Sequence, residues 1–286
     1  MRCLATSAAA AAAAPAAELP PPPPRWHGDL KARIGKCIMF GCSPSQVHRA
    51  AGVLRSLSLD WRALTAGSEG FLTGRRRGLE GQAVAWGEMD SFLGRLVVLA
   101  YLMLTVYSSQ QHVNNATYIR YAESSRVNWI THHAAVDPPH AAEWKSLMSP
   151  TGVGLIMKSI KADYKFPVVY PDRVSVFHKL RSLPGKSDTS LILDCIILSH
   201  RHHRVAARTE EDVVVYDYRT ATKTTPPPFV QDLFRSTWNQ QEEAVRSSRA
   251  RIWQLIKTVE GLEKETWDRE DAVEDLGAAG TAAANV

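Results

Sequence analysis

A chain of 286 residues with 45% hydrophobic and 22% charged content can bury a sizeable core, which excludes a disordered or collagen-like polymer. The net charge of +5 comes from Lys and Arg spread along the chain, with only Arg75–Arg77 as a compact basic run, so nothing in the charge calls for a nucleic-acid partner. Cys3, Cys37, Cys42 and Cys195 form neither a CxxC pair nor a paired framework, so zinc and structural disulfides are not indicated and a reducing compartment fits.

Residues 1–26 hold an alanine run and then Pro20–Pro24, too little apolar area for a core and a bias toward an extended spacer. Arg2, Arg25, Lys31, Arg33 and Lys36 outnumber Glu18 and Asp29, which suits a mitochondrial transit peptide; a low-complexity tail on a cytoplasmic protein is the other reading. Over 27–72 the spacing of Ile34, Ile38 and Met39, then Val47, Ala51, Val53, Leu54, Leu57 and Leu59, predicts two short helices, the second starting at Ser43–Pro44. LTGRRRGLEG (72–81) reads as a polar connection and QAVAWGEMD (82–90) as a half-buried strand.

An apolar stretch, LGRLVVLAYLMLTVYSSQ (93–110), comes next. From Asn114 to Ile130 the apolar positions recur at helical spacing and predict a long, substantially buried helix beginning near Asn114 or Asn115. Four β-rich segments follow at 153–165, 172–183, 189–200 and 204–218, punctuated by prolines and a His/Arg cluster. TTPPPF (224–229) closes this unit, 230–262 predicts a C-terminal helix, and 263–286 predicts a disordered tail, acidic and then Ala/Gly-rich. A strand, a long helix and a run of antiparallel strands give an α+β class, most economically a curved sheet around one helix.

Joining WGEMDSF (86–92) to QHVNNATYIRYAESSRVNW (111–129) yields Asp, HVNN, Tyr and Glu in one compact string. That string resembles the signature of hotdog-fold acyl-CoA thioesterases of the 4-hydroxybenzoyl-CoA thioesterase-like group; only the spacing between Asp90 and His112 departs from it. The resemblance spans roughly 80–220. It implies a single hotdog domain over 80–229, a curved antiparallel sheet around one long central helix, flanked here by N- and C-terminal helical extensions. It also implies hydrolysis of an acyl-CoA thioester with water as second substrate, no cofactor or metal, and a homodimer or homotetramer formed edge to edge.

Thioester hydrolysis needs an activated water or a nucleophile, and Asp90 is the candidate general base or nucleophile. Charge developing on the carbonyl oxygen needs donors, and the turn His112, Val113, Asn114, Asn115 at the amino end of a buried helix can offer backbone N–H groups, with Tyr118 one turn on. Relatives carry His or Tyr seven positions after the aspartate once 93–110 is set aside; here the count falls on Asn115, which cannot transfer a proton at neutral pH. Each residue has a structural reading too: Asp90 can cap or brace the turn, Asn114 and Asn115 can cap the helix, and Glu123 fits a supporting carboxylate. His200, His202 and His203 lack metal-ligand spacing and read as an exposed polar turn, while Arg201, Arg204 and Arg208 could meet coenzyme A phosphates but suit a solvated face.

The stretch 93–110 splits this motif. It is too short for a stable membrane span and carries Arg95 near its start. It is either a genuine insertion packing as an extra strand or helix, or translated intron; its position at the tightest turn of the motif favours the intron. A rival for the whole chain is a non-catalytic hotdog protein that binds acyl groups or serves as a structural subunit of a mitochondrial complex.

Overall fold

A computed structural model describes residues 19–74, 76–89 and 112–274. Three helices come first: α1 (Trp26–Met39), α2 (Pro44–Leu59) and α3 (Trp61–Gly67). The predicted start of α2 is a capping box, in which Ser43 caps the Gln46 N–H and the Gln46 side chain accepts from the Ser43 N–H, with Pro44 at the first helical position. The segment expected to hold two helices thus holds three, and the tail expected to reach residue 26 stops short, because Trp26 is buried at the head of α1. Ahead of it, the Leu19 and Pro20 carbonyls accept hydrogen bonds from Arg249 and Trp253, so this part of the proline run is docked.

Strand β1 (Gly78–Ala83) begins inside the expected polar connection and ends before Val84. Within the expected strand 82–90, Trp86–Glu88 form a single 3-10 turn instead, which leaves Trp86 66% exposed. Gly78 is obligatory where β1 meets β3, since a Cβ there would lie 2.2 Å from the Val176 carbonyl oxygen.

Helix α4 (Asn115–Val136) runs six residues past the expected end, and a short helix, α5 (Ala141–Ser146), follows. The β-rich segments form β2 (Val153–Tyr164), β3 (Arg173–Leu180), β4 (Ser190–Ser199) and β5 (Arg204–Asp217); β6 (Thr222–Lys223) adds a short pairing. Among the described residues these make one six-stranded antiparallel sheet in the order β1-β3-β4-β5-β2, with β6 on β5. This α+β arrangement of antiparallel sheet and helices is consistent with a hotdog thioesterase fold.

α4 lies on the sheet along most of its length. Tyr118, Tyr121 and Ala122 pack with Val174, Val176 and Ile197, and further along Trp129, Ile130 and Ala134 pack with Leu180, Leu193 and Val213. Between these apolar patches sits a polar bridge. The Arg126 Nη1 donates to Glu211 Oε2 at 2.6 Å, His178 Nε2 donates to Glu211 Oε1 at 3.2 Å, and Thr209 Oγ1 donates to the same oxygen at 3.0 Å. Ser125 Oγ lies within reach of both Val176 O and His178 Nδ1. Burial pushes the Glu211 carboxyl upward, but the hydrogen bond from His178 and the Arg126 guanidinium more than reverse this and hold it down to about 2.

Helix α6 (Pro228–Thr266) is 39 residues long and exceeds the expected 230–262 at both ends. The expected tail boundary at 263 is corrected: Glu263 is buried and takes a two-pronged ion pair from Arg33 in α1, at 2.8 and 2.5 Å. Residues 275–286 lie outside the described residues, as do the alanine run and 93–110.

Breaking the buried pair by Arg126→Met should destabilise the fold by about 3–5 kcal/mol in urea denaturation, because the Glu211 carboxylate stays in the core without its guanidinium partner. Glu211 has a folded pKa depressed from the ordinary 4.5 to about 2, so its contribution is fully present above 4.5 and is lost as pH falls through about 2. A pH titration of stability with no difference between parent and Glu211→Gln over that window would rule this out.

Candidate active site

The turn into α4 is built by Asn114, whose Oδ1 accepts the Ala116 N–H at 2.8 Å and so caps the helix. Just before it, Val113 forms an isolated antiparallel bridge with Met89. The Val113 N–H donates to Val168 O at 2.8 Å and the Asn114 N–H to Glu88 O at 2.9 Å. The end of the WGEM segment and the start of the HVNN segment are therefore neighbours in space. Asp90 itself, next in sequence to Met89, lies outside the described residues, as does the whole interruption 93–110.

Two residues that sequence reasoning missed reinforce this junction. The Glu88 carboxylate accepts the Ala85 N–H at 2.7 Å and the Tyr121 hydroxyl at 2.6 Å, linking the 3-10 turn to the second turn of α4. Burial and the hydrogen bond to Glu88 both push the Tyr121 phenol pKa up, which keeps it a donor. The available signal was a Glu three residues after Ala85, the capping spacing; reading 82–90 as a strand obscured it.

The remaining candidates divide between the junction and the solvent. Tyr118 is buried, and its Oη accepts the Val168 N–H at 3.0 Å, so it holds the loop that holds Val113. Burial raises the Tyr118 pKa as well. His112 is exposed, with Nδ1 3.1 Å from the neighbouring Val113 carbonyl oxygen. Asn115 is exposed; its carbonyl accepts from Tyr164 Oη at 3.1 Å, and its N–H has no acceptor among the described residues. The expected set of turn amides is thereby narrowed, because those of Val113 and Asn114 are already engaged. Glu123 is exposed, and its side chain makes no hydrogen bond or ion pair among the described residues.

The histidine turn is exposed, as expected, at Arg201, His202 and Arg204, but half-buried at His200 and His203. His203 stacks on His27 at 4.9 Å and meets Trp61 edge-on at 5.0 Å, while His200 Nε2 lies 2.7 Å from Ser175 Oγ, so the turn docks the helical extension onto the sheet. The nearby arginines do not converge on a common point. Arg208 makes a bidentate pair with Glu69, Arg204 lies over the Phe166 ring at 4.5 Å, and Arg201 is exposed. Metal-ligating atoms come together at His178, Cys195 and Glu211, within 4.8 Å of one another, but this trio is buried beneath α4 and its carboxylate is already bound by Arg126. No helix among the described residues is long and apolar enough to cross a membrane.

The profile of the thioesterase-like superfamily matches residues 84–234, more than half of the chain and the whole of this junction. The chain belongs to the thioesterase-like superfamily. Among solved structures, this superfamily member is similar to a Thermus thermophilus thioesterase complexed with coenzyme A and Zn, at 18% identity over 45% of this chain and 82% of that one, TM-score 0.35. It is similar to a Staphylococcus aureus protein solved in complex with CoA, at 11% identity over 59% and 90%, TM-score 0.41. It is also similar to the DHNA-CoA thioesterase of Staphylococcus aureus, at 13% identity over 58% and 87%, TM-score 0.36. No curated protein matches the chain in sequence.

Tyr118→Phe removes the acceptor of a buried N–H at Val168 and should destabilise the fold by about 1–3 kcal/mol. Denaturant midpoints of parent and variant decide this, and equal midpoints would show that the Tyr118 hydroxyl does not hold the loop.

Proposed function

We propose that this chain hydrolyses acyl-CoA thioesters, with Asp90 as general base or nucleophile beside the first turn of α4. Membership of the thioesterase-like superfamily supports acyl-thioester hydrolysis as the reaction class. The observation that carries the rest is the Met89–Val113 bridge, which brings the residue before Asp90 against the turn that opens the helix. In the hydrolytic version water loses a proton to Asp90 and adds to the carbonyl carbon; the adduct then breaks its C–S bond, and coenzyme A leaves as thiol with that proton. In the nucleophilic version the Asp90 carboxylate adds to the carbonyl carbon and the C–S bond breaks, releasing coenzyme A as thiolate; water then cleaves the mixed anhydride to the free acid and Asp90, and a proton from that water ends on the thiol.

The Asn115 N–H is the proposed oxyanion donor. It is unclaimed by any acceptor among the described residues, and it stands at the positive end of a 22-residue helix. Asn115 cannot move a proton, so the single carboxylate must handle both proton transfers. Strand β2, at the end of the strand order and 12 residues long, supports the expectation of edge-to-edge pairing into a homodimer or larger assembly. Engagement of the Val113 and Asn114 amides favours one second reading, a hotdog protein that binds acyl groups without turnover.

Assay of the parent chain against a panel of acyl-CoAs separates the two. Hydrolysis that falls about 10²–10⁴-fold in Asp90→Asn supports the enzyme, whereas tight acyl-CoA binding without hydrolysis selects the binding protein. Deleting 93–110 should raise both soluble yield and hydrolysis; a deletion variant that is less soluble and no more active would mean the segment belongs to the working fold.

A further inference from the structure

The far end of α4 borders a cavity of about 230 Å³, between the loop after α3, the last turns of α4 and the early turns of α6. His132 follows Asn115 by 17 residues, about 25 Å along a helix at ~1.5 Å per residue, so this cavity is remote from the candidate active site. Its polar side is formed by Arg77, His132, His133 and Gln240, and its apolar side includes Trp129 and Leu233. No acidic residue lines it among the described residues.

Two imidazole nitrogens at this cavity have no hydrogen-bond partner among the described residues, Nδ1 of His132 and Nε2 of His133. His133 is only 3% exposed, so its nitrogen cannot turn to bulk water. Among the described residues the Arg77 guanidinium gives one hydrogen bond, from Nη2 to Gln240 Oε1 at 2.9 Å, which leaves further donors. Burial lowers the pKa of both histidines, aided by the charge of Arg77, and takes His133 to about 3, so one formal positive charge faces a half-apolar space with neutral imidazoles beside it.

We propose that this cavity binds a small monocarboxylate, its head group held by Arg77 and His132 and its apolar body lying against Trp129 and Leu233. One charge on the wall matches one charge on the ligand, which favours a carboxylate over phosphate. The volume falls below the range of about 300–1,000 Å³ that takes drug-sized ligands, which limits the body to a small group. The carbonyl end of α4 opposes an anion, but that field fades within a turn and is set against the full charge of Arg77. The site also gives a role to Arg77, the last residue of the basic run, which the thioesterase reading leaves unused.

Calorimetric titration of the full chain with benzoate, and separately with inorganic phosphate, tests this. Benzoate should bind with 1:1 stoichiometry, with phosphate at least about tenfold weaker, and Arg77→Gln and His132→Leu should each weaken benzoate by about tenfold or more. No saturable benzoate binding up to about 10 mM, tighter phosphate binding, or an affinity unchanged in Arg77→Gln would overturn the proposal. Should Arg77→Gln fail to fold, imidazole ¹⁵N spectra of the unsubstituted chain decide. Movement of the His132 and His133 ring resonances on adding benzoate supports the site, and unmoved resonances overturn it.

Discussion

The start of α4 is held by four hydrogen bonds that converge from two directions. Glu88 receives the Asn114 N–H on its carbonyl and the Tyr121 hydroxyl on its carboxylate; Val168 receives the Val113 N–H and gives its own N–H to Tyr118. Any chemistry at this helix end depends on them, because they return the chain to the helix after the 23 residues 90–112. Closure entropy grows only with the logarithm of length. Going from five intervening residues, with 93–110 absent, to 23 adds about 1.3 kcal/mol, close to the net contribution of one hydrogen bond. Four bonds therefore outweigh the added entropy, and a closed helix start is compatible with 23 residues between Met89 and Val113.

A second constraint acts in the middle of the same helix. Arg126 reaches Glu211 on β5, and Ser125 reaches His178 and the Val176 carbonyl on β3, so two consecutive residues tie α4 to two different strands. Apolar packing alone would tolerate α4 sliding along the sheet, because leucine and valine surfaces are non-directional. A buried carboxylate with three donors is not so tolerant: a shift by one residue would strand the charge. Depth of burial converts a weak surface contact into a register pin, and the register of α4 sets where its first turn meets Glu88.

What could be read from the sequence follows the same division. Asn114 as a cap, Ser43–Pro44 as a helix start and the four proline-bounded β segments all rest on local chemistry, and local chemistry is written in consecutive residues. Glu211 sits in RTEEDVVV between two other acidic residues, and nothing local marks it as the buried one; its partner Arg126 is 85 positions away. Glu88 and Tyr121 are likewise 33 positions apart, and no spacing rule joins them. The histidines at 200–203 looked solvated because their partners, His27 and Trp61, belong to the helical extension. Long-range polar partners are what single-sequence periodicity cannot express.

That extension is part of the folding unit rather than an appendage. Helix α6, about 58 Å long at ~1.5 Å per residue, places Val230 and Phe234 in the core beneath the sheet and Ile252, Leu255, Val259 and Leu262 in the core of α1 to α3. Between the two halves Gln241 is buried and acts like an extra strand residue, accepting the Leu180 N–H at 2.9 Å and donating to the Leu180 carbonyl at 3.0 Å. Those groups lie at the end of β3 and would otherwise be left unpaired in the interior. Unzipping the extension would strip α6 of half its apolar partners while that amide still demanded a fixed position against the sheet. The two cores are thus coupled through one helix, and the register of β3, which carries His178 and so supports α4, is reinforced from a segment that lies mostly beyond the matched family region.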